Sequence, residues 1–130
     1  MTTILIVEDN PRNMKLVRDI LEVKGFATIQ ATSAEEGIAL AQERLPDLIL
    51  MDIQLPGMNG LDALRVLRSD ARTAHIRAIA VTASVMLQDR TMISDAGFDA
   101  YLGKPISLVP FLDAVQAQLA RGPRPSDSPA

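Results

Sequence analysis

The sequence lacks several features that would assign a protein to a particular class. Its 130 residues contain no cysteine, so disulfides, thiolate metal sites and thiol nucleophiles are excluded. No apolar run approaches the length of a membrane span, and no basic segment followed by an apolar one opens the chain. The net charge of −3 gives no general reason to bind nucleic acid or an anionic membrane. We therefore expect a soluble, cytoplasmic protein with no membrane insertion and no nucleic-acid partner.

The chain does contain a regular alternation of strand-like and helix-like segments. With 48% hydrophobic and 22% charged residues, it can bury the core of one domain. Uninterrupted apolar runs at residues 4–7, 48–51 and 78–81 are typical of strands covered on both faces of a parallel sheet. The full pattern predicts strands at residues 3–8, 27–31, 47–52, 78–82 and 100–102, and helices at 11–24, 34–45, 61–69, 85–96 and 108–121.

Five βα units of this kind predict an α/β fold: a five-stranded parallel sheet in the order 2-1-3-4-5 with helices on both faces, the flavodoxin-like arrangement. Pro11 and Gly25 suit the start and stop of the first helix, and Ser33 with Glu36 predicts a capping box on the second. We expect one domain over residues 1–121. Residues 122–130, rich in proline and serine, are predicted to form a disordered tail.

Several helix and surface residues have ordinary interpretations. A stripe on the last helix is expected to face the core, and it consists of Leu108, Leu112, Val115 and Leu119. A set of basic residues is expected on a solvated face, and it consists of Arg65, Arg68, Arg72 and Arg77. His75 has no second histidine near it, so we expect it at the surface. On the fourth helix, Met86, Leu87 and Met92 could pack in the core or face a partner.

Polar and charged side chains follow four of the predicted strands. In an open α/β sheet, functional groups gather beyond the carboxyl ends of the strands. Glu8 and Asp9 follow the first strand, and Asp52 closes the third. The predicted order makes the first and third strands neighbours. Thr82 ends the fourth strand, and Lys104 follows the fifth. We therefore expect these side chains to meet at one edge of the sheet.

The chemistry of these side chains indicates phosphoryl transfer. Three carboxylates at one edge would repel one another unless they share a cation, and magnesium, typically held by one or two carboxylates, suits Asp9 and Asp52. Asp52 is then poised to attack a phosphoryl group and become an aspartyl phosphate, while Lys104 neutralises the transferring oxygens. A hydroxyl at Thr82 could bond a phosphoryl oxygen, so that the following loop would move only when phosphate is present.

At these residues the chain resembles the receiver domains of two-component response regulators, over roughly residues 3–121. The matching segments are Leu5-Ile6-Val7-Glu8-Asp9-Asn10, Leu50-Met51-Asp52-Ile53-Gln54-Leu55-Pro56, Gly60, Val81-Thr82-Ala83 and Tyr101-Leu102-Gly103-Lys104-Pro105-Ile106. The resemblance implies a signalling phosphoacceptor rather than an enzyme, one that catalyses only its own phosphotransfer and autodephosphorylation.

The resemblance also implies roles for individual residues. The implied Mg²⁺ ligands are Asp9, Asp52 and the backbone carbonyl of Gln54, with Glu8 reaching the ion through water. Tyr101 is expected to change rotamer as Thr82 moves, and the family keeps the Lys104-Pro105 bond cis. Access of the water that removes the phosphate is expected to depend on Gln54 and Ser84.

The implied partners are a histidine kinase or phosphatase and a downstream signalling protein. Because no output domain follows the last helix, we expect a stand-alone regulator, a monomer or weak dimer. Residues 13–16, 46–49 and 104–107 further resemble a single-domain regulator of bacterial cell division and polarity, which implies a role in cell-cycle control. Two alternatives stay open: an adaptor that binds partners without phosphorylation, and a receiver that acts as an intermediate phosphorelay carrier.

Other classes and simpler roles share parts of this pattern. A phosphatase resembling haloacid dehalogenases has a second aspartate two residues after its nucleophile, where this chain has Gln54, so turnover of a substrate is not expected. A flavodoxin-like nucleotide binder needs a glycine- or hydroxyl-rich loop after the first strand, the reverse of the acidic turn here. Taken singly, Glu8 and Asp9 could be helix-capping groups, and Lys104 a surface charge. The meeting of four strand ends favours the phosphoacceptor site.

Overall fold

Five short strands lie at the centre of the molecule, with bounds within one residue of the predicted ones. They are β1 (Thr3–Val7), β2 (Ala27–Ala31), β3 (Leu48–Asp52), β4 (Arg77–Thr82) and β5 (Ala100–Gly103). The structure is a computed structural model that describes residues 1–83 and 87–125, with the backbone alone at 87–89. The paired strands are all parallel, and the order β2-β1-β3-β4-β5 confirms the predicted sheet.

In the described part of the chain, five helices connect and cover these strands. They are α1 (Pro11–Val23), α2 (Ala34–Arg44), α3 (Gly60–Ser69), α4 (Leu87–Ala96) and α5 (Leu108–Arg121). The predicted first residues of the fourth helix, Val85 and Met86, lie outside the described residues. Asn10 caps α1, because its side-chain oxygen accepts the backbone N–H groups of Arg12 and Asn13 at 2.9 and 3.2 Å. None of the helices in the described part of the chain has both the length and the apolarity that crossing a membrane needs.

The capping box predicted on α2 forms with one difference. The Ser33 hydroxyl oxygen accepts the N–H of Glu36 at 3.1 Å, as the motif requires. The Glu36 carboxylate accepts the N–H of Thr32 at 2.7 Å, one residue before the predicted position. Both bonds still satisfy backbone donors at the start of the helix.

Among the described residues, the core consists of two hydrophobic clusters on opposite faces of the sheet. Successive strand residues point to opposite faces, so Leu5 and Val7 pack with residues of α2, α3 and α4, whereas Ile4 and Ile6 pack with residues of α1 and α5. All four side chains are at most 1% exposed. Burial on both faces is the reason that β1, β3 and β4 contain uninterrupted apolar runs.

The buried face of α5 differs from the predicted stripe. Phe111, Val115 and Gln118 are buried, whereas Leu112 and Leu119 are only partly buried. Leu108 is 54% exposed, so its prediction was wrong. Leu108 has the spacing of the buried face, but it opens the helix at the carboxyl edge of the sheet, where the strands have ended.

Two of the four arginines assigned to a solvated face are instead largely removed from solvent: Arg77 is buried and Arg68 is partly buried. The side chains of Arg68 and Arg77 are 12% and 8% exposed, and both contact the carboxylate of Asp99, at 3.3 and 3.0 Å. Arg65 and Arg72 are exposed, as predicted, and pair with nearby aspartates. The prediction failed for Arg68 and Arg77 because Asp99 is 31 and 22 residues away from them in sequence.

The residues that follow α5 contact the group formed by Arg68, Arg77 and Asp99, which we call the arginine cluster. The N–H of Arg124 donates to the His75 carbonyl at 2.8 Å, and its guanidinium donates to the Gly97 carbonyl at 2.6 Å. Arg124 also lies 3.7 Å from Asp99. Residues 126–130 of the predicted tail lie outside the described residues, so the domain limit at residue 121 and the disorder of the tail stay predictions. His75 is exposed, as predicted.

Candidate functional site

Strand pairing brings the predicted functional residues to one edge of the sheet. The register of β1 with β3 sets Glu8 beside Asp52 at the carboxyl ends of neighbouring strands. The registers of β3 with β4 and of β4 with β5 then place Thr82 and Lys104 next in order along that edge. Residues from four separate parts of the chain therefore meet, although more than 90 residues separate the first from the last.

The centre of the site is an ammonium group shared by two carboxylates. Lys104 Nζ lies 2.7 Å from Asp52 Oδ2 and 3.0 Å from Glu8 Oε1. The side chains of Asp52 and Glu8 are 3% and 6% exposed, and that of Lys104 is 21% exposed. A buried carboxylate requires a partner, and here a single lysine serves both. The peptide bond Lys104-Pro105 is cis, as the resemblance implied.

Backbone N–H groups hold the second oxygen of each buried carboxylate. The N–H of Gln54 donates to Asp52 Oδ1 at 2.9 Å, and the N–H of Asn10 donates to Glu8 Oε2 at 3.1 Å. Each carboxylate is thus held at both oxygens, once by the ammonium and once by its own turn. This arrangement fixes the direction in which the carboxylates face.

The crowding of charges changes the proton affinity of two groups. Burial raises the pKa of the Glu8 carboxyl; the N–H of Asn10 and the Lys104 ammonium oppose this rise, and the negative charge of Asp52 adds to it. Burial alone would lower the pKa of Lys104, but its hydrogen bonds to Asp52 and Glu8 outweigh burial and raise it. Lys104 therefore stays charged at neutral pH.

Asp9 completes an acidic cluster that opens to solvent. One carboxylate oxygen from each of Glu8, Asp9 and Asp52 lies within 4.8 Å of the others. Asp9 is exposed, whereas the other two residues are buried. Carboxylate oxygens are the donors that a hard ion such as Mg²⁺ prefers, and one or two of them suffice when waters complete the shell. The donor set therefore fits Mg²⁺, and Gln54, the remaining predicted ligand, lies in the adjoining turn.

A glycine shapes the loop that follows Asp52. A Cβ atom at Gly60 would lie 2.8 Å from the Cα atom of Ile53, closer than real Cβ contacts come. The N–H of Gly60 donates to the carbonyl of Ile53 at 2.9 Å. Only glycine lets the start of α3 pack this closely against the backbone beside Asp52.

Thr82 and Tyr101 lie on neighbouring strands beside the site. Thr82 is 3% exposed, and its carbonyl accepts the N–H of Lys104 at 2.8 Å. Tyr101 is 38% exposed, and the guanidinium carbon of Arg90 lies 5.4 Å from the centroid of its ring. Ser84, which was predicted to affect the access of water, lies outside the described residues.

Sequence reasoning missed two residues that support the site. Asn10, whose N–H donates to Glu8, could have been anticipated as a helix cap, because asparagine is a preferred cap and Pro11 suits the first helical position. The contact of Arg90 with Tyr101 left no local signal, because it depends on how α4 packs beside β5. Met92, left open between core and partner, is 48% exposed.

Comparison with known families agrees with this geometry. Residues 4–116 match the family model described as the response regulator receiver domain. The chain therefore belongs to the response regulator receiver domain family. Members of this family work as signalling phosphoacceptors rather than as metabolic enzymes, and they interact with histidine kinases and downstream proteins. Receiver domains bind Mg²⁺ at an acidic pocket. The family assignment decides against the phosphatase and nucleotide-binder classes.

Three individual proteins illustrate the similarity of this chain to the family. The polar-differentiation response regulator DivK of Brucella ovis is 46% identical over 117 residues, which cover 90% of this chain and 95% of that protein. A CheY-like receiver domain protein of Methanospirillum hungatei superposes with a TM-score of 0.86 at 30% identity, over 93% of this chain and 95% of that one. The receiver domain of the sensor histidine kinase PA1611 of Pseudomonas aeruginosa was solved with a magnesium ion in its active site cleft. It superposes with a TM-score of 0.85 at 29% identity, over 92% of this chain and 98% of that one.

Proposed function

We propose that Asp52 accepts a phosphoryl group from a histidine kinase or a phosphorelay protein, and that the modified chain changes conformation to control protein partners. The observation that carries this proposal is the buried Asp52 carboxylate 2.7 Å from Lys104, beside the acidic cluster. A carboxylate nucleophile, a fixed cation and a divalent-metal site are the parts that phosphoryl transfer needs, because the reaction depends on positioning and on neutralising charge.

In the transfer, an oxygen of Asp52 forms a bond to phosphorus while the bond from phosphorus to the donor's histidine nitrogen breaks. The nitrogen keeps the electron pair, and an aspartyl phosphate is left on the chain. Lys104 lies close enough to Asp52 to neutralise charge on the incoming oxygens. The N–H of Gln54 keeps the carboxylate from turning during the attack.

The acidic cluster is the proposed metal site. Asp9, Asp52 and the Gln54 carbonyl would hold Mg²⁺, with Glu8 reaching the ion through water. When bound, the ion supplies positive charge against the phosphoryl oxygens. Removal of the phosphate requires a water molecule to reach phosphorus, and we expect the side chain of Gln54, which is exposed, to affect that access.

The proposed output is a change at Thr82 and Tyr101. The Thr82 hydroxyl would bond a phosphoryl oxygen, and Tyr101, on the neighbouring strand, would turn from its half-exposed position toward the space that Thr82 leaves. A partner that contacts this surface would then distinguish the two forms. Cell division is consistent with the likeness to DivK, and it is the setting proposed here. The proposed location is the cytoplasm, as is general for the family. The likeness to a receiver domain of a histidine kinase supports the phosphorelay carrier as the alternative.

The direct test is incubation of the protein with acetyl phosphate and Mg²⁺, followed by measurement of its intact mass. We expect one phosphoryl adduct on the parent protein and none on Asp52→Asn, because the amide cannot act as the nucleophile. Chelation of the metal should abolish the adduct. Asp62→Asn is the matched control, because Asp62 is an exposed aspartate on α3 and its loss should leave the adduct unchanged.

An absent adduct would call for a second measurement with a phosphorylated histidine kinase as donor. If that donor also failed, the phosphoacceptor proposal would be wrong and a phosphorylation-independent adaptor would become the leading function. An adduct that persisted on Asp52→Asn would place the modification on another residue.

A further inference from the structure

The ring of Tyr101, which Arg90 contacts, lies on the side of the sheet that α4 covers. Tyr101 pairs with Ala80 across β4 and β5, and paired residues of a parallel sheet point to the same face. Ala80 belongs to the cluster that includes Ile93 and Ala96 of α4. The ring of Tyr101 therefore lies on the α4 side of the sheet.

Arg90 belongs to α4, the helix that covers this face of the sheet. Its guanidinium carbon lies 5.4 Å from the ring centroid of Tyr101, within the range of a cation–π contact. The ring must leave this contact to turn toward Thr82.

We infer that Arg90 is a positioning residue that holds the Tyr101 ring in its outward position and so sets how readily the switch operates. This inference rests on the proposed function, in which Tyr101 turns inward when Asp52 is phosphorylated. Loss of the guanidinium should raise the ratio of inward to outward ring by about twofold to fivefold, the factor that corresponds to an exposed cation–π contact.

The composition of the chain offers a clean probe. Tyr101 is the only tyrosine and there is no tryptophan, so tyrosine fluorescence reports this ring alone. Quenching of that fluorescence by acrylamide measures how exposed the ring is. We expect the unphosphorylated Arg90→Gln and Arg90→Ala variants to be quenched less than the parent, because their rings are more often inward. Arg90→Lys, which keeps a cation, should lie between them and the parent.

The control is Arg65→Ala, which removes an exposed arginine from α3 and should leave quenching unchanged. A guanidinium that merely covered the ring would give the opposite result: its removal would increase quenching and overturn the inference. Equal quenching in Arg90→Gln and the parent would also overturn it. Nuclear Overhauser contacts between the Tyr101 ring and the Thr82 methyl group, stronger in Arg90→Gln than in the parent, would support it.

A second arm separates this inference from the proposed function. Acetyl phosphate and Mg²⁺ should reduce quenching in the parent, and by a smaller amount in Arg90→Gln, whose ring is already partly inward. If phosphorylation leaves the parent unchanged while Arg90→Gln alone alters it, the positioning role stands and the proposed coupling to Asp52 fails. If phosphorylation alters the parent and Arg90→Gln equally, from the same starting value, the coupling stands and the positioning role fails.

Discussion

Replacing Lys104 by methionine would remove the ammonium that Asp52 and Glu8 share while keeping most of the side chain's apolar length. Both carboxylates are at most 6% exposed and would then face each other without that cation. Removing one partner of a buried ion pair typically costs about 3–5 kcal/mol. Because the Lys104 side chain is 21% exposed and the site opens toward Asp9, we expect Lys104→Met to lower the free energy of unfolding at pH 7 by about 2–4 kcal/mol.

The pH dependence gives this prediction its sign. Burial already raises the pKa of Glu8 above its ordinary value of 4.5, so this residue binds more proton in the folded chain than in the unfolded chain between pH 4.5 and the raised pKa. Ionisation of Glu8 therefore costs stability as the pH rises through that window. Without Lys104 the pKa of Glu8 should rise further. The variant should therefore regain stability, relative to the parent, as the pH is lowered from 7 toward 5. In the parent, the raised pKa of Lys104 keeps its contribution intact below pH 10.5, and the contribution is lost only as the pH rises through the raised value.

Urea unfolding at pH 5 and pH 7 measures this effect. Lys15→Met is the matched control, because that lysine side chain is 71% exposed and pairs with Asp19 at 3.5 Å, so its loss should cost less than about 0.5 kcal/mol. Saturating Mg²⁺ should restore part of the stability of Lys104→Met, since the ion binds the folded form and neutralises the same carboxylates. A Lys104→Met protein as stable as the parent at pH 7, with the same pH dependence, would refute the idea that the shared ammonium compensates the buried charges.

Two further predictions concern the arginine cluster and the metal site. Asp99→Asn removes a carboxylate that contacts Arg68 and Arg77 at 3.3 and 3.0 Å; we expect a loss of about 3–5 kcal/mol in urea unfolding, against under 1 kcal/mol for the exposed Asp62→Asn. A loss no larger than that of the control would mean that backbone carbonyls alone hold the arginines; Arg68 donates to those of Gly97 and Ile76 at 3.0 and 2.7 Å, and Arg77 to that of Gly122 at 2.9 Å. Mg²⁺ affinity should increase as the pH rises from 4.5 through the raised pKa of Glu8, because the proton and the metal compete for the cluster. Calorimetric titration should show a flatter pH profile for Glu8→Gln, and an unchanged profile would exclude Glu8 from the site.

The composition of the site could be predicted because its central residues follow predicted strands: Glu8, Asp52 and Thr82 come directly after apolar runs, and Lys104 comes after the fifth strand. Parallel strands end at one edge, so Asp52 and Lys104 had to lie near the same place once the strand order was inferred. Which charged side chains contact one another within the site was harder to predict from the sequence. That one ammonium contacts both Asp52 and Glu8, rather than Asp52 alone, depends on side-chain directions that only the assembled sheet determines.

The arginine cluster and the contact of Arg90 with Tyr101 show what the sequence could not predict. Arg68 and Arg77 were expected in solvent because an arginine's sequence neighbours indicate charge but not burial. Their partner, Asp99, comes from the start of another strand, and the free energy of that contact depends on excluding water from three chain segments at once. The prediction for Leu108 was wrong in the opposite way, because a residue expected in the core is exposed. An apolar residue with correct helical spacing stays exposed when its helix turn lies beyond the strands.

By itself, the sequence determined the number, type and order of the elements, and the identity of the residues at the carboxyl edge. These follow from hydrophobic periodicity and from helix and turn signals, which act over a few residues. Only the tertiary structure decided which charges are buried, which carboxylates share a cation, and which cation lies over the Tyr101 ring. Those contacts join residues 11 to 96 positions apart, and their strength depends on burial and distance, which the chain acquires only when the helices pack on the sheet.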